Sequence, residues 1–402
     1  MRFALLEPLR GLAALWVFAY HYDFSPSIQD GAPLLHAVLK QGMLGVPMFF
    51  VVSGFCLAAS ASSSLRRAEP WYGFLYRRGR RIYPTYWASI AVAVAVPFVL
   101  AALSAAKGGG YHPPDPSLRS NGFLSYTAAD WAEVFTLTRV FDPAAGAGLS
   151  DRFNTLNAVY WTLAIEVQFY AVVTLCRAAG RRFHLALLGV TLASVVSRAF
   201  PAMEANGLFL WYWPQFWFGT VVYRALEKGP TPVGTFGRLA GGVAAAGILA
   251  AAAGFVAWVQ TGRPTDETAF AAGFAVVLWL AAALDRGFRE QVIDSRWRLV
   301  RYAAGLLIVL GLMSYTVYLV HGRVRFVAMQ VARQFTPADS VALDAAVFAL
   351  TLAFCYAFYW VCERPFVKPA VPPAGQTGSG RSGGSVAAAT RVDSRAIRSS
   401  TR

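Results

Sequence analysis

The segment LRGLAALWVFAYHY, Leu9–Tyr22, is an apolar helix that carries a guanidinium near one end and an imidazole near the other. Ionisable groups inside a bilayer cost several kcal/mol unless they face protein or water, so they mark function by default. Arg10 and His21 are eleven residues apart. At about 100° and 1.5 Å per residue that is roughly three turns, so they share one helix face about 16 Å apart. A structural reading also exists: Arg10 snorkels to one surface while His21 sits at the opposite interface.

The surroundings favour lipid. Of 402 residues, 56% are hydrophobic and only 14% charged, against about 25% charged in soluble domains. Ten apolar runs are expected to be transmembrane helices in an all-α polytopic bundle. They lie near Phe3–Tyr22, Gly42–Ala61, Pro84–Ala106, Asn157–Cys176 and Phe183–Phe200, then Gly207–Tyr223, Phe236–Trp258, Thr268–Leu284, Tyr302–Met329 and Ser340–Cys362. No small-residue cleavage site follows Met1-Arg2, so no removed leader is expected. No tandem repeat is visible.

The formal charge is +15. In a soluble chain this would suggest nucleic acid; here the positive-inside rule accounts for it, and no nucleic-acid partner is expected. Basic residues crowd the even-numbered loops: Arg66, Arg67, Arg77, Arg78, Arg80 and Arg81 in the second, Arg177, Arg181 and Arg182 in the fourth. Arg224, Lys228 and Arg238 follow in the sixth, and Arg286, Arg289, Arg296, Arg298 and Arg301 in the eighth. That alternation places both termini in the cytoplasm. Residues 1–368 read as the membrane domain, with a long external loop near 107–154, and 369–402 as a disordered cytoplasmic tail of Gly, Ser, Pro, Ala and Arg. The external loop, with its aromatics, would cap a cavity or bind a polar acceptor. Cys56, Cys176, Cys355 and Cys362 lie in apolar runs without ligand spacing and read as small hydrophobes; no metal is expected.

Four further stretches carry candidate chemistry. In GVPMFFVVSGFCL, Gly45–Leu57, Gly45 and Gly54 allow close helix approach and Ser53 offers a hydrogen bond. YRRGRRIYPTYW, Tyr76–Trp87, sets four arginines just before a helix expected to start at Pro84. They are a topology anchor, and their planar forks also suit the phosphates of a nucleotide-bearing donor such as coenzyme A. YWTLAIEVQFY, Tyr160–Tyr170, puts Glu166 in an apolar helix, where His21 or Arg10 is the expected partner. SYTVYLVHGR places His321 late in the ninth helix, where it reads as an interfacial histidine.

In order along the chain, these segments resemble the integral-membrane acyltransferases of the acyltransferase-3 family. The resemblance rests on Arg10 and His21 as Arg-x10-His, FFVVSGF at Phe49–Phe55, and Arg78 and Arg81 as Arg-x-x-Arg before IYPTYW. It rests equally on WTLAIEVQFY at Trp161–Tyr170, SYTVYLVH at Ser314–His321 and ERP at Glu363–Pro365. Glu7-Pro8 stands where the family usually has Asp-Gly. The resemblance implies a membrane enzyme, in a bacterium of the inner membrane, that moves an acyl group, most simply acetyl, from acyl-CoA to a hydroxyl of a carbohydrate or similar acceptor. Acyl-CoA is then a co-substrate, and no tightly bound cofactor is expected. On this reading His21 is the general base, Arg10 stabilises negative charge, and Glu166 orients a partner or the acceptor. Arg78, Arg81 and Ser53 serve the donor. A transporter or flippase of lipid-linked sugars is the competing class; the Arg-x10-His spacing and the lack of visible inverted repeats weigh against it.

Overall fold

Helices form where these apolar runs lie, and the computed structural model describes residues 3–108, 121–200, 203, 204, 206–228, 235–262, 266–288, 293 and 295–367. Among the described residues there is no strand. Among these residues eleven helices have fifteen residues or more. They are α1 (Leu6–Tyr20), α2 (Gly45–Arg66), α3 (Trp71–Ala106), α4 (Tyr160–Arg177), α5 (Phe183–Ser197) and α6 (Trp213–Lys228). α7 (Thr235–Val259), α8 (Glu267–Phe288), α9 (Arg298–Leu312), α10 (Ser314–Ala332) and α11 (Val341–Phe358) complete the set. The tail from 369, and 109–120 of the external loop, lie outside the described residues.

Among the described residues, three stretches are long and apolar enough to cross a membrane: Pro33–Arg66, Trp71–Ala106 and Val341–Phe366. The α9–α10 pair passes the same test but bends by 75°. Helices of 15 or 16 residues such as α1, α5 and α6 fall short of the roughly 20 that a bilayer core requires.

Two sequence expectations are corrected. The third helix starts at Trp71, not Pro84, so Arg78 and Arg81 stand inside α3. Arginine is a good helix former, and Phe74 and Ile82 bury the inner face of this segment, so the polar run stays helical. The expected ninth helix is two. It breaks at Met313, where Gly311 packs on the backbone of Glu7 with no room for a Cβ. An amide freed by the break, Thr316 N–H, is satisfied by the carboxylate of Glu363 at 3.2 Å, and the Thr316 hydroxyl donates to the same oxygen at 2.6 Å.

At the N-terminus Pro8 sits in the first turn of α1, where its missing N–H costs nothing. Helix contacts are set by small residues. Gly54 of α2 and Gly219 of α6 bring the two backbones together; a Cβ at Gly219 would overlap the carbonyl oxygen of Val51, and one at Gly54 that of Phe216. Such approaches let dispersion and packing hold helices where the hydrophobic effect is weak. The described part of the external loop is folded. Ala128–Thr136 is a helix with a Thr127/Asp130 capping box. Arg139 binds Asp130 at 2.8 Å, and chiefly this bond, with Thr127, holds the Asp130 carboxyl down at about 2.

Gly219→Ala should lower thermal stability in detergent by about 1–3 kcal/mol through overpacking. Gly273→Ala, where a Cβ meets nothing within 4 Å, should be neutral or slightly stabilising, by at most about 1 kcal/mol.

Candidate functional site

One cavity collects five of the six candidate residues singled out in the sequence. It is lined by Arg10 of α1, Ser53 and Cys56 of α2, Arg78 and Arg81 of α3, Glu166 and Tyr170 of α4, and Tyr315 and Tyr318 of α10, among apolar neighbours. Arg78 and Arg81 reach it together because residues three apart share a helix face. Arg77 points elsewhere and is ion-paired with Glu69.

Glu166 accepts hydrogen bonds from the Ser53 hydroxyl at 2.8 Å and the Tyr170 hydroxyl at 2.7 Å, both on Oε1. This corrects the expectation that His21 or Arg10 would be its partner. Tyr170 lies one turn away on the same helix, and the helix crossing brings in Ser53; neither is charged, so a search for charge partners misses both.

The three guanidiniums are held differently. Arg10 pairs with Glu7 one turn earlier, at 3.1 Å. Arg78 donates to the Cys56 carbonyl at 3.3 Å and lies 5.7 Å from the Tyr170 ring centre. Among the described residues neither Arg78 nor Arg81 has a carboxylate within 4.0 Å. With Glu166 bonded to two hydroxyls, Arg78 and Arg81 line the cavity without a carboxylate in ion-pair contact, and a planar guanidinium fork can match phosphate oxygens two at a time.

His21 is elsewhere. It ends α1 and lines a separate polar cleft with Asn154, Asn157, Arg323 and Arg325. The folded end of the external segment forms one wall of this cleft. Arg323 donates to the carbonyls of Asn154, at 2.7 Å, and Leu156; the Asn157 amide donates to the Leu319 carbonyl at 2.6 Å. Five of the six candidate residues thus meet in one cavity, and the sixth lies about 16 Å along α1 from Arg10 by helix rise.

His321 is not interfacial. It is fully buried, with its ring centre 5.4 Å from that of His21. The polar HGRVR run suggests a helix leaving the membrane, but Arg323 is occupied in holding the 154–157 segment over this region. Glu363, Tyr170, Tyr315 and Tyr318 also escaped the sequence-level site. For the last two, and for His321, the signal was present as a three-residue spacing in SYTVYLVH.

The helical body thus carries one cavity lined by three arginines and, apart from it, a polar cleft lined by His21. Residues 4–360 match the family model described as "Acyltransferase domain", and the chain belongs to this acyltransferase-3 family. It is an acyltransferase. It is 27% identical over 400 residues, 92% of each chain, to "Acyltransferase MdmB" of Streptomyces mycarofaciens. It is 27% identical over 358 residues to "Exopolysaccharide production protein ExoZ" of Rhizobium meliloti, covering 83% of this chain and 94% of that one. With "Peptidoglycan O-acetyltransferase OatA" of Listeria monocytogenes it shares 29% identity over 175 residues, 42% of this chain and 23% of that protein. No solved structure matches the chain.

Because Ser53 and Tyr170 share one carboxylate oxygen, Ser53→Ala and Tyr170→Phe should each cost about 1 kcal/mol of stability. The double variant should depart from additivity by at least about 0.5 kcal/mol, as expected of groups with a common partner. Denaturation in detergent measures all three.

Proposed function

We propose that this chain is an integral-membrane O-acyltransferase that moves an acyl group, most simply acetyl, from acyl-CoA to a hydroxyl of a carbohydrate or similar acceptor. The observation that carries this reading is the cavity in which Arg10, Arg78 and Arg81 converge from two helices. In the proposed orientation α3 begins at the cytoplasmic face, both termini are cytoplasmic and the 121–156 segment is external. The ten apolar segments would then cross or re-enter the membrane of the cell, with the α9–α10 pair as one broken span.

Arg78 and Arg81 hold the donor phosphates, and Ser53, through its bond to Glu166, shapes the wall beside them. Glu166 keeps the cavity from being purely cationic, which lets product CoA leave. Arg10 belongs with the donor. An oxyanion donor must lie about 3 Å from the reacting atom, and an axial offset of about 16 Å from His21 is too great for that. An extended pantetheine arm is suited to such a gap, carrying the thioester from the cationic cavity towards the histidine.

The chemistry balances without a further reactant. His21 takes the proton of the acceptor hydroxyl as that oxygen attacks the thioester carbonyl. The carbon–sulfur bond breaks, and the departing thiolate receives the proton from His21, giving an ester and CoA thiol. The names of two relatives, a peptidoglycan O-acetyltransferase and an exopolysaccharide production protein, support a hydroxylated glycan as acceptor.

Native-membrane vesicles containing the protein should release thiol from acetyl-CoA; a protein that only moves lipid-linked sugars would release none. His21→Ala should slow release by about 10²–10⁴-fold, and a wild-type rate would remove His21 from the mechanism. Exchanging both Arg78 and Arg81 for Lys keeps the charge but loses the fork, so the KM for acetyl-CoA should rise. The same exchange at Arg66 and Arg67 should leave it unchanged, as should the Arg78/Arg81 exchange assayed with a thioester that lacks the nucleotide phosphates. In intact cells an impermeant thiol reagent should label Ser150→Cys and miss Arg181→Cys. The reverse pattern overturns the orientation.

A further inference from the structure

The most unusual buried group outside the cationic cavity is the imidazole of His321. Its Nδ1 lies 2.8 Å from the Val317 carbonyl oxygen. A carbonyl only accepts, so Nδ1 carries the proton and Nε2 of the neutral ring is left with a lone pair. That Nε2 is buried and has no hydrogen-bond partner among the described residues. Leaving such an atom unpaired costs about 1–3 kcal/mol, and it does not correct a packing defect.

Three rings surround it. Phe18, at 5.5 Å between ring centres, has no donor. Tyr318, at 6.4 Å, already shares its hydroxyl with Thr162 at 2.8 Å. His21, at 5.4 Å and 38° between planes, is the remaining neighbour of the three and the one with a ring N–H to give. Two imidazoles joined by a nitrogen–nitrogen hydrogen bond of about 3 Å have centres about 5.2 Å apart. The observed centre-to-centre spacing of 5.4 Å is close to that value.

We propose that His321 is a positioning residue for His21: its Nε2 accepts the ring N–H of His21, so that the other nitrogen of His21 faces the cleft as a lone pair. This rests on the reading of His21 as general base. In the transfer step His21 takes the acceptor's proton on its cleft-facing nitrogen while the bond to His321 stabilises the imidazolium. That proton then passes to the departing CoA thiolate, and His321 ends the cycle unchanged. Its part corresponds to that of the buried acceptor that orients the histidine in hydrolytic triads, with a neutral imidazole in place of a carboxylate.

The test separates an acceptor from a space-filler. His321→Phe preserves an aromatic ring in the buried site but removes the lone pair; His321→Gln keeps an acceptor near the Nε2 position in a smaller, more polar side chain. With native-membrane vesicles and acetyl-CoA as donor, His321→Phe should lower the kcat of thiol release on the order of 10²-fold and leave the KM for acetyl-CoA unchanged. His321→Gln should recover most of the loss. A purely structural role predicts the opposite order, Phe tolerated and Gln damaging, with loss of melting temperature tracking loss of rate. Equal rates for the two variants, or a wild-type rate for Phe, overturn the proposal. His21→Ala, run beside them, distinguishes the failures. If it abolishes transfer while His321→Phe does not, only the positioning role falls; if it leaves transfer intact, the base assignment falls first.

Discussion

Charge held inside an apolar helical body is the constraint on which this structure depends. A guanidinium or carboxylate removed from water must be met by a counter-charge, by hydrogen bonds or by a ligand. Glu166 is met by two hydroxyls, Arg10 by Glu7, and Glu363 by the amide and hydroxyl of Thr316. Arg78 and Arg81 are met by less: Arg78 by a backbone carbonyl and an aromatic ring, and neither by a carboxylate in ion-pair contact among the described residues. The cavity therefore carries a partial deficit of counter-charge, which the donor proposed above would fill.

Those crossings explain the broken helix. α9 presses against α1 where Gly11 and Gly311 leave no space for side chains, and the chain then turns by 75° to run as α10. Breaking a helix in a dry environment exposes amides, each costing several kcal/mol if left alone. Glu363 supplies the acceptor from the segment after α11, so the C-terminal end of the bundle and the start of α10 are held by the same carboxylate. The ERP motif thereby has a mechanical meaning: its acid closes the break.

Much of the site was legible in the sequence, because ionisable residues are scarce in apolar runs and each one stands out. Arg10 and Glu166 were chosen on that ground, Ser53 as a hydrogen-bond donor and Arg78 and Arg81 as a basic cluster before a helix, and all five meet in one cavity. Their partners were not legible. Ser53 meets Glu166 through a three-dimensional crossing governed by Gly54 and Gly219, and helical periodicity says nothing about which helix faces which. The start of α3 was misread because hydropathy records the arginine run as loop, whereas the backbone follows Phe74 and Ile82 into the core. His321 was read as interfacial because a histidine late in an apolar helix commonly is; its burial depends on the rings of Phe18, His21 and Tyr318 around it, which the sequence of one helix does not reveal.

The three-residue spacing along α10 has a further consequence. Tyr315 and Tyr318 form part of the cationic cavity, and His321, on the next turn, stands against His21. One helix thus borders both the arginine-lined cavity and the histidine cleft. Under the proposed mechanism, a tilt of α10 about the bend at Met313 would move the walls of both.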